Sequence, residues 1–219
     1  MRALQTKTQH LLISMIPLAL AFTLIAAVGQ ARKAARESQC HGNLSGQIHI
    51  ALLNLRDRLG GHYPPLVTLG PDGKPMYGWR AQVHREAAGS YFGIGYDFAQ
   101  PWNCAGNLKA ARVGWRMFNC PNNQTEAGPM TNFVAVIDRG VSTLALASAI
   151  PPGFPAEAKQ VLVIEYPNSD ILWTEPRDLD VTELAKLADG NDSKGLGVLF
   201  ADGKFRRIPR AEVLKLFGR

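Results

Sequence analysis

Glu165, Glu175 and Asp178 come nearest to a reactive set, because paired carboxylates can move a proton during a reaction. Arg177 stands between the last two, and Glu175-Pro176-Arg177-Asp178 also reads as a turn whose Arg holds a carboxylate. The turn is the stronger reading, since neither nucleophile nor base accompanies the carboxylates at a recognisable spacing. Other sets are weaker. His10, His41, His49, His62 and His84 share no metal-ligand spacing; His41 and His49 fall on one helical stretch and read as surface residues. Cys40, Cys104 and Cys120 include no Cys-x-x-Cys pair, which disfavours a zinc knuckle or a dithiol redox motif. Asp189 to Ser193 alternates oxygen donors as a calcium loop does, yet lacks the Gly and distal Glu of an EF-hand and reads as a polar loop. No zinc-protease, Walker, nucleophile-elbow or dinucleotide fingerprint is present. The expectation is therefore no catalytic residue, no metal ligand and no cofactor.

Composition narrows the class further. The 219 residues are 46% hydrophobic and 19% charged, with 21 Gly and 14 Pro marking many turns. That suits one globular domain of ordinary size with a real core. The net charge of +6 is scattered, with no basic run interleaved with aromatics, so no nucleic acid partner is expected.

The element that decides where such a domain works is Leu11–Val28, an apolar run without a charge. As a helix it spans about 27 Å, close to the roughly 30 Å hydrocarbon core of a bilayer. Arg2 and Lys7 favour a cytoplasmic N-terminus, although Arg32, Lys33 and Arg36 on the other side nearly balance them. The leading reading is an uncleaved anchor: 1–10 cytoplasmic, 11–29 transmembrane, 30–219 an exported domain in the inner membrane's outer compartment. Two alternatives stand beside it. One is a signal peptide cut at the small residues around Gly29 or Ala31, and the other a buried core helix.

Beyond the run, ARKAARES continues as helix by propensity. Leu44, Ile48, Leu52, Leu55 and Leu59 then form one helical stripe, with Asn54, Arg56, Asp57 and Arg58 mostly off it. Gly42 and Gly46 weaken the join, and Gly60-Gly61 with Pro64-Pro65 end the helix. Gly70 to Pro75 is a turn, and Tyr91 to Phe98 with Pro101-Trp102 supply aromatics to a core edge. Asn132–Asp138, Gln160–Tyr166 and Gly197–Ala201 are strand-like, and Asp202-Gly203 is a two-residue hairpin turn. Val181–Ala188 reads as a helix capped by Asp180, and Arg210–Phe217 as a last helix after Pro209. The fold class is α+β: a long N-terminal helix, transmembrane then amphipathic, packed on an antiparallel β-sheet in a pilin-like plan.

Several strings resemble those of bacterial prepilin-like proteins, specifically the domain of unknown function 1559 family. They begin with Ala27 to Cys40, Asn43-Leu44, Gln47-Ile48 and Tyr63-Pro64-Pro65. Gly73-Lys74-Pro75, Trp79-Arg80, Cys120-Pro121 and Phe133 to Val136 follow. Trp173-Thr174-Glu175-Pro176-Arg177-Asp178-Leu179 and Phe200-Ala201-Asp202-Gly203 are the most specific. The resemblance departs at the prepilin processing signal: Ala21-Phe22-Thr23-Leu24-Ile25-Ala26 lacks both the Gly and the Glu. It also comes too late, leaving only Phe22–Val28 apolar after a cut.

The resemblance implies a non-enzymatic envelope protein, a structural or assembly component of a secretion or pilus-type system. Its partners would be membrane lipid through Leu11–Val28 and other pilin-like or secretion-system subunits. It also marks Trp173, Glu175, Arg177, Asp178 and Asp202 as a family-motif site, and Cys40 and Cys120 as the pair to bridge, three reduced thiols being the alternative. The competing reading is an exported module binding carbohydrate or peptide through the aromatic and W-T-E-P-R-D region. That reading requires Trp173→Ala to fold normally and lose its ligand.

Overall fold

The computed structural model describes residues 2–89, 95–113, 115–122, 128–188 and 195–219, with backbone alone for 2–19, 115, 187 and 188. Two compact units are present, Met1–Ser38 and Gln39–Arg219.

Helix α1, Arg2–His41, accounts for the first unit, and Pro17 lies within it without ending it. Leu20, Phe22, Leu24, Ile25 and Val28 are all exposed, between 48% and 69% of their surface. Among the described residues, no helix is long and apolar enough to cross a membrane. The side chains of residues 11–19 lie outside that set.

In the second unit the chain passes through an i→i+5 bonded stretch, Gly42–Ile48, in which the His49 N–H bonds the Leu44 carbonyl. Wide turns of this kind accommodate local mismatch within a helix, and here Gly42 and Gly46 offer little side-chain packing to resist it. Asn43 is buried and donates to the Arg116 and Asn119 carbonyls, each at 3.0 Å. Helix α2, His49–Arg58, follows. Leu44, Ile48, Leu52 and Leu55 are buried as the spacing requires, while Leu59 is exposed. Gly60 (φ 69°) and Gly61 (φ 95°) then end the helix in left-handed backbone that suits glycine.

Arg56 corrects the stripe reading. It is buried, paired with Glu157 at 3.0 Å, bonded to the Gly61 and Ile150 carbonyls, and laid over the Tyr63 ring. Its aliphatic stem tolerates the apolar face while the guanidinium finds partners. His49 is likewise buried rather than on the surface, with Nε2 3.4 Å from the Ala201 carbonyl. His41 is exposed, its ring 5.3 Å from that of Phe205.

The sheets follow. β1 (Val67–Leu69) and β2 (Pro75–Gly78) form a hairpin around the Gly70–Pro75 turn. β3 (Phe133–Val134), β6 (Val161–Glu165), β8 (Leu196–Phe200) and β9 (Phe205–Ile208) form a four-stranded antiparallel sheet in the order β3-β6-β8-β9. β5 (Val141–Ser142), β4 (Val136–Asp138) and β7 (Leu179–Asp180) form a third sheet, in which β4 and β7 run parallel. The sheet is therefore not purely antiparallel, and the coarse α+β class holds.

Every residue of β6 and β8 is buried. Leu162, Val163 and Leu199 join the core cluster that contains α2 and helix α3, Trp79–Ala88. Ile164, Val198 and Phe200 join the cluster that contains Leu184 of α6 (Val181–Ala188) and Val213 of α7 (Arg210–Val213). A strand covered on both faces reads as a continuous apolar run, as these do.

Two boundaries differ from the sequence reading. Asn132–Asp138 is two strands, because at Ala135 the chain leaves one sheet for another. The β8–β9 hairpin has a three-residue loop, with Phe200 N–H bonding the Lys204 carbonyl and Gly203 at φ 79°. The segment after Trp79 is helix α3, whose first six residues are buried despite Arg80, Gln82 and His84. Helix α6 matches its reading and carries a reciprocal cap. Asp180 Oδ1 accepts from the Thr182 N–H, and Glu183 Oε2 accepts from the Asp180 N–H. Tyr91 and the Asp189–Ser193 loop lie outside the described residues.

Burial depresses the His49 pKa, the Ala201 carbonyl and Asp202 opposing it, and burial alone depresses that of His84, both from an ordinary 6.5. A folded-state pKa below the unfolded value gives stability that is complete above 6.5 and lost as pH falls through the folded value. The thermal midpoint is expected to drop between about pH 7.5 and pH 5, and the His49→Gln, His84→Gln double variant to flatten that drop. An unchanged slope in the double variant refutes the assignment to these histidines.

Candidate functional site

The strongest sequence motif folds around an arginine that lies far from it in the chain. Arg80, on the first turn of α3, is 1% exposed. Its Nη1 lies 2.6 Å from Asp178 Oδ1. Its Nε donates to the Trp173 carbonyl at 3.2 Å, and Nη2 to the Glu175 and Arg177 carbonyls at 2.8 and 2.5 Å. The W-T-E-P-R-D segment is thus a cradle of backbone oxygens closed by one carboxylate, and its polar work is directed inward.

Asp178 is the other half of that arrangement. Its oxygens accept from the Trp79 indole N–H at 3.0 and 3.1 Å, and Oδ1 also accepts from the Ala135 N–H at 2.9 Å. Burial pushes the Asp178 carboxyl up, while Arg80, the indole and the Ala135 amide pull against it. Buried carboxylates survive when donors surround them in this way. No lone pair is left facing solvent for acid–base work.

The remaining motif residues divide between core and surface. Trp173 is fully buried, donates from its indole to the Ala111 carbonyl at 2.7 Å, and stacks on Phe118 with ring centroids 5.3 Å apart. This corrects the ligand-binding reading of Trp173, since a ring with no exposed surface cannot meet a ligand. Glu175 and Arg177 pair at the surface at 2.9 Å, with Asp170 on the other side of Arg177 at 3.0 Å. That agrees with a turn closed by an ion pair, except that Asp178 turns inward to Arg80. Asp202 lies in the β8–β9 loop, its Oδ1 accepting from the Lys204 N–H and its Oδ2 3.2 Å from Arg206.

Glu165 does not join Glu175 and Asp178 in a single constellation of contacts. It is buried at the end of β6, where Oε2 accepts from the Gly197 N–H and from Arg207, each at 3.0 Å. A Cβ on Gly197 would stand 2.6 Å from that oxygen, so only glycine lets the carboxylate reach the strand. Cys40 and Cys120 form a disulfide with Cα atoms 4.9 Å apart, both cysteines fully buried. Their sulfurs and the Glu165 carboxylate lie within 4.8 Å of one another. Two of those three atoms are spent on the S–S bond, so the group offers no metal a ready ligand set. Cys104 is free, and its sulfur accepts from the Asn107 N–H at the start of helix α4, Ala105–Ala110.

Arg80, Arg56 and Arg207 are the residues that sequence reasoning did not place. The signal for Arg80 was present in Trp79-Arg80 and Asp178 as separate motif positions, but nothing in their spacing joins them.

A cleft of about 540 Å³ is lined by Gln47, His84, Arg112 and Arg116, and one of about 440 Å³ by Gln82, Arg85 and Glu86. A groove of about 350 Å³ runs between the β4–β5 hairpin, helix α5 (Thr143–Ser148) and the C-terminal turn. Compared with family models, curated proteins and solved structures, the chain finds no match in any of the three.

Removing Asp178 leaves a buried guanidinium without its counter-charge, which costs about 3–5 kcal/mol. Asp178→Ala is expected to lose that much in urea unfolding, and Trp173→Ala about as much through its cavity. Glu175→Gln at the surface pair is expected to change stability by less than about 1 kcal/mol. A fully stable Trp173→Ala protein would overturn the assignment of that ring to the core.

Proposed function

We propose that the chain is a membrane-anchored, pilin-like envelope protein whose exported domain serves as a structural or assembly component of a secretion or pilus-type system. The observation that carries this reading is the order of two features. α1 leaves its apolar side chains uncovered from Leu20 to Val28, and the chain immediately beyond is tied by the buried Cys40–Cys120 bond. Exposed apolar surface on this scale marks contact with lipid or with other apolar helices. Structural disulfides persist in oxidising compartments, so the bridged unit belongs on the exported side. The resemblance of Ala27–Cys40, W-T-E-P-R-D-L and F-A-D-G to prepilin-like proteins supports the same plan. The residues that the resemblance marks serve the fold: Trp173 and Asp178 in the core, Glu175, Arg177 and Asp202 in turns. The Arg80–Asp178 pair spends its polar groups on the fold, which suits assembly through surfaces better than turnover of a substrate.

Membrane fractionation of cells expressing the full chain tests this. The protein is expected to resist carbonate extraction and to be cut by protease only from the exported side. On non-reducing gels it should migrate faster than after reduction, with one thiol, Cys104, open to alkylation after denaturation. Recovery in the soluble fraction at the size left by a cut near Gly29 would refute the anchor. Three alkylatable thiols in cell extracts would refute export.

A further inference from the structure

We propose that the groove between the β4–β5 hairpin, α5 and the C-terminal turn binds a small alkyl carboxylate. Its walls include Val141 and Leu146, which stay 43% and 44% exposed, together with half-buried Leu216 and Phe217. Hydrocarbon walls of this kind gain by burying an alkyl chain. Arg139 and Lys159 line the same groove, and neither has an ion-pair partner among the described residues. Asp138, the acid beside them, is engaged by Arg219 at 2.7 Å. The groove therefore combines apolar walls with two cationic lining residues that form no ion pair among the described residues. A ligand with one anionic head and one apolar tail complements both.

The backbone at Arg139 points the same way. Asp138 pairs with Val141 across the hairpin, so Arg139-Gly140 is a two-residue loop with φ of 50° and 79°. Such loops favour Asn, Asp or Gly at the first position, and a long branched-head side chain with positive φ is disfavoured there. Backbone held in an unfavourable region tends to accompany binding. A positive charge on a residue that lines the groove is what this Arg supplies that an Asn would not.

The choice of variant follows from that strain. Arg139→Asn suits the turn better than the native residue and removes the cation, so loss of binding cannot be ascribed to unfolding. The full chain, held in nanodiscs of zwitterionic lipid, is irradiated with a diazirine-bearing octanoate, and the labelled peptides are identified by mass spectrometry. Label is expected on the peptides holding Val141–Leu146 and Leu216–Phe217. Unlabelled octanoate should displace it at a concentration at least about tenfold lower than octanamide, which lacks the charge, or acetate, which lacks the chain. The Arg139→Asn, Lys159→Gln double variant should lose at least about tenfold in labelling while melting no lower than the parent chain. Label confined to Leu11–Val28, equal competition by octanamide, or undiminished labelling of the double variant each overturns the proposal.

Discussion

A guanidinium that has been taken out of water must find a partner for nearly every N–H it carries, and Arg80 meets that demand with carbonyls from a single segment. The requirement fixes the path of residues 173–178, because the Trp173, Glu175 and Arg177 carbonyls must converge on one planar group. Asp178 then neutralises the charge and, through the Ala135 amide, holds the point where the chain leaves the four-stranded sheet for the three-stranded one. Helix α3, the loop before β7 and the switch between sheets therefore depend on one ion pair. Such pairs contribute little net stability compared with apolar packing, but they penalise any arrangement in which a partner is missing.

A second constraint acts at the C-terminal end of β6. Glu165 takes a strand amide from Gly197 and a charge from Arg207, close to the disulfide that links the end of α1 to Cys120. In the chain-entropy account, closing a loop with a sequence separation of 80 residues stabilises the fold by about 4 kcal/mol. Strands β6 and β8 are covered on both faces, which leaves surface function to loops, hairpins and helix exteriors.

Much of this architecture was legible from local rules. Gly60-Gly61, the Leu44–Leu55 stripe and the Asp180 cap each state their own structure, since turn geometry, helical periodicity and capping are decided within a few residues. The pairing of Cys40 with Cys120 followed from the family resemblance. Arg56 and Arg80 were opaque because burial of a charge is decided by groups tens of residues distant, and periodicity places any charged residue on the outside by default. The same default put His49 at the surface, whereas Trp173 was singled out by its motif string, and no spacing announces its stacking on Phe118. Ala135 illustrates the remaining gap: a break between two sheets inside a run of β-formers is a tertiary event, and Phe-Val-Ala-Val carries no local mark of it.

The order β3-β6-β8-β9 makes β3 and β9 the outer strands of the four-stranded sheet. Strand β3 offers only Phe133–Val134 before the chain veers off at Ala135. Strand β9 carries Arg206 and Arg207 side by side. Short length and paired positive charge are the devices by which proteins discourage edge-to-edge addition of strands. Copies of this chain are thus steered away from merging their sheets into a continuous ribbon.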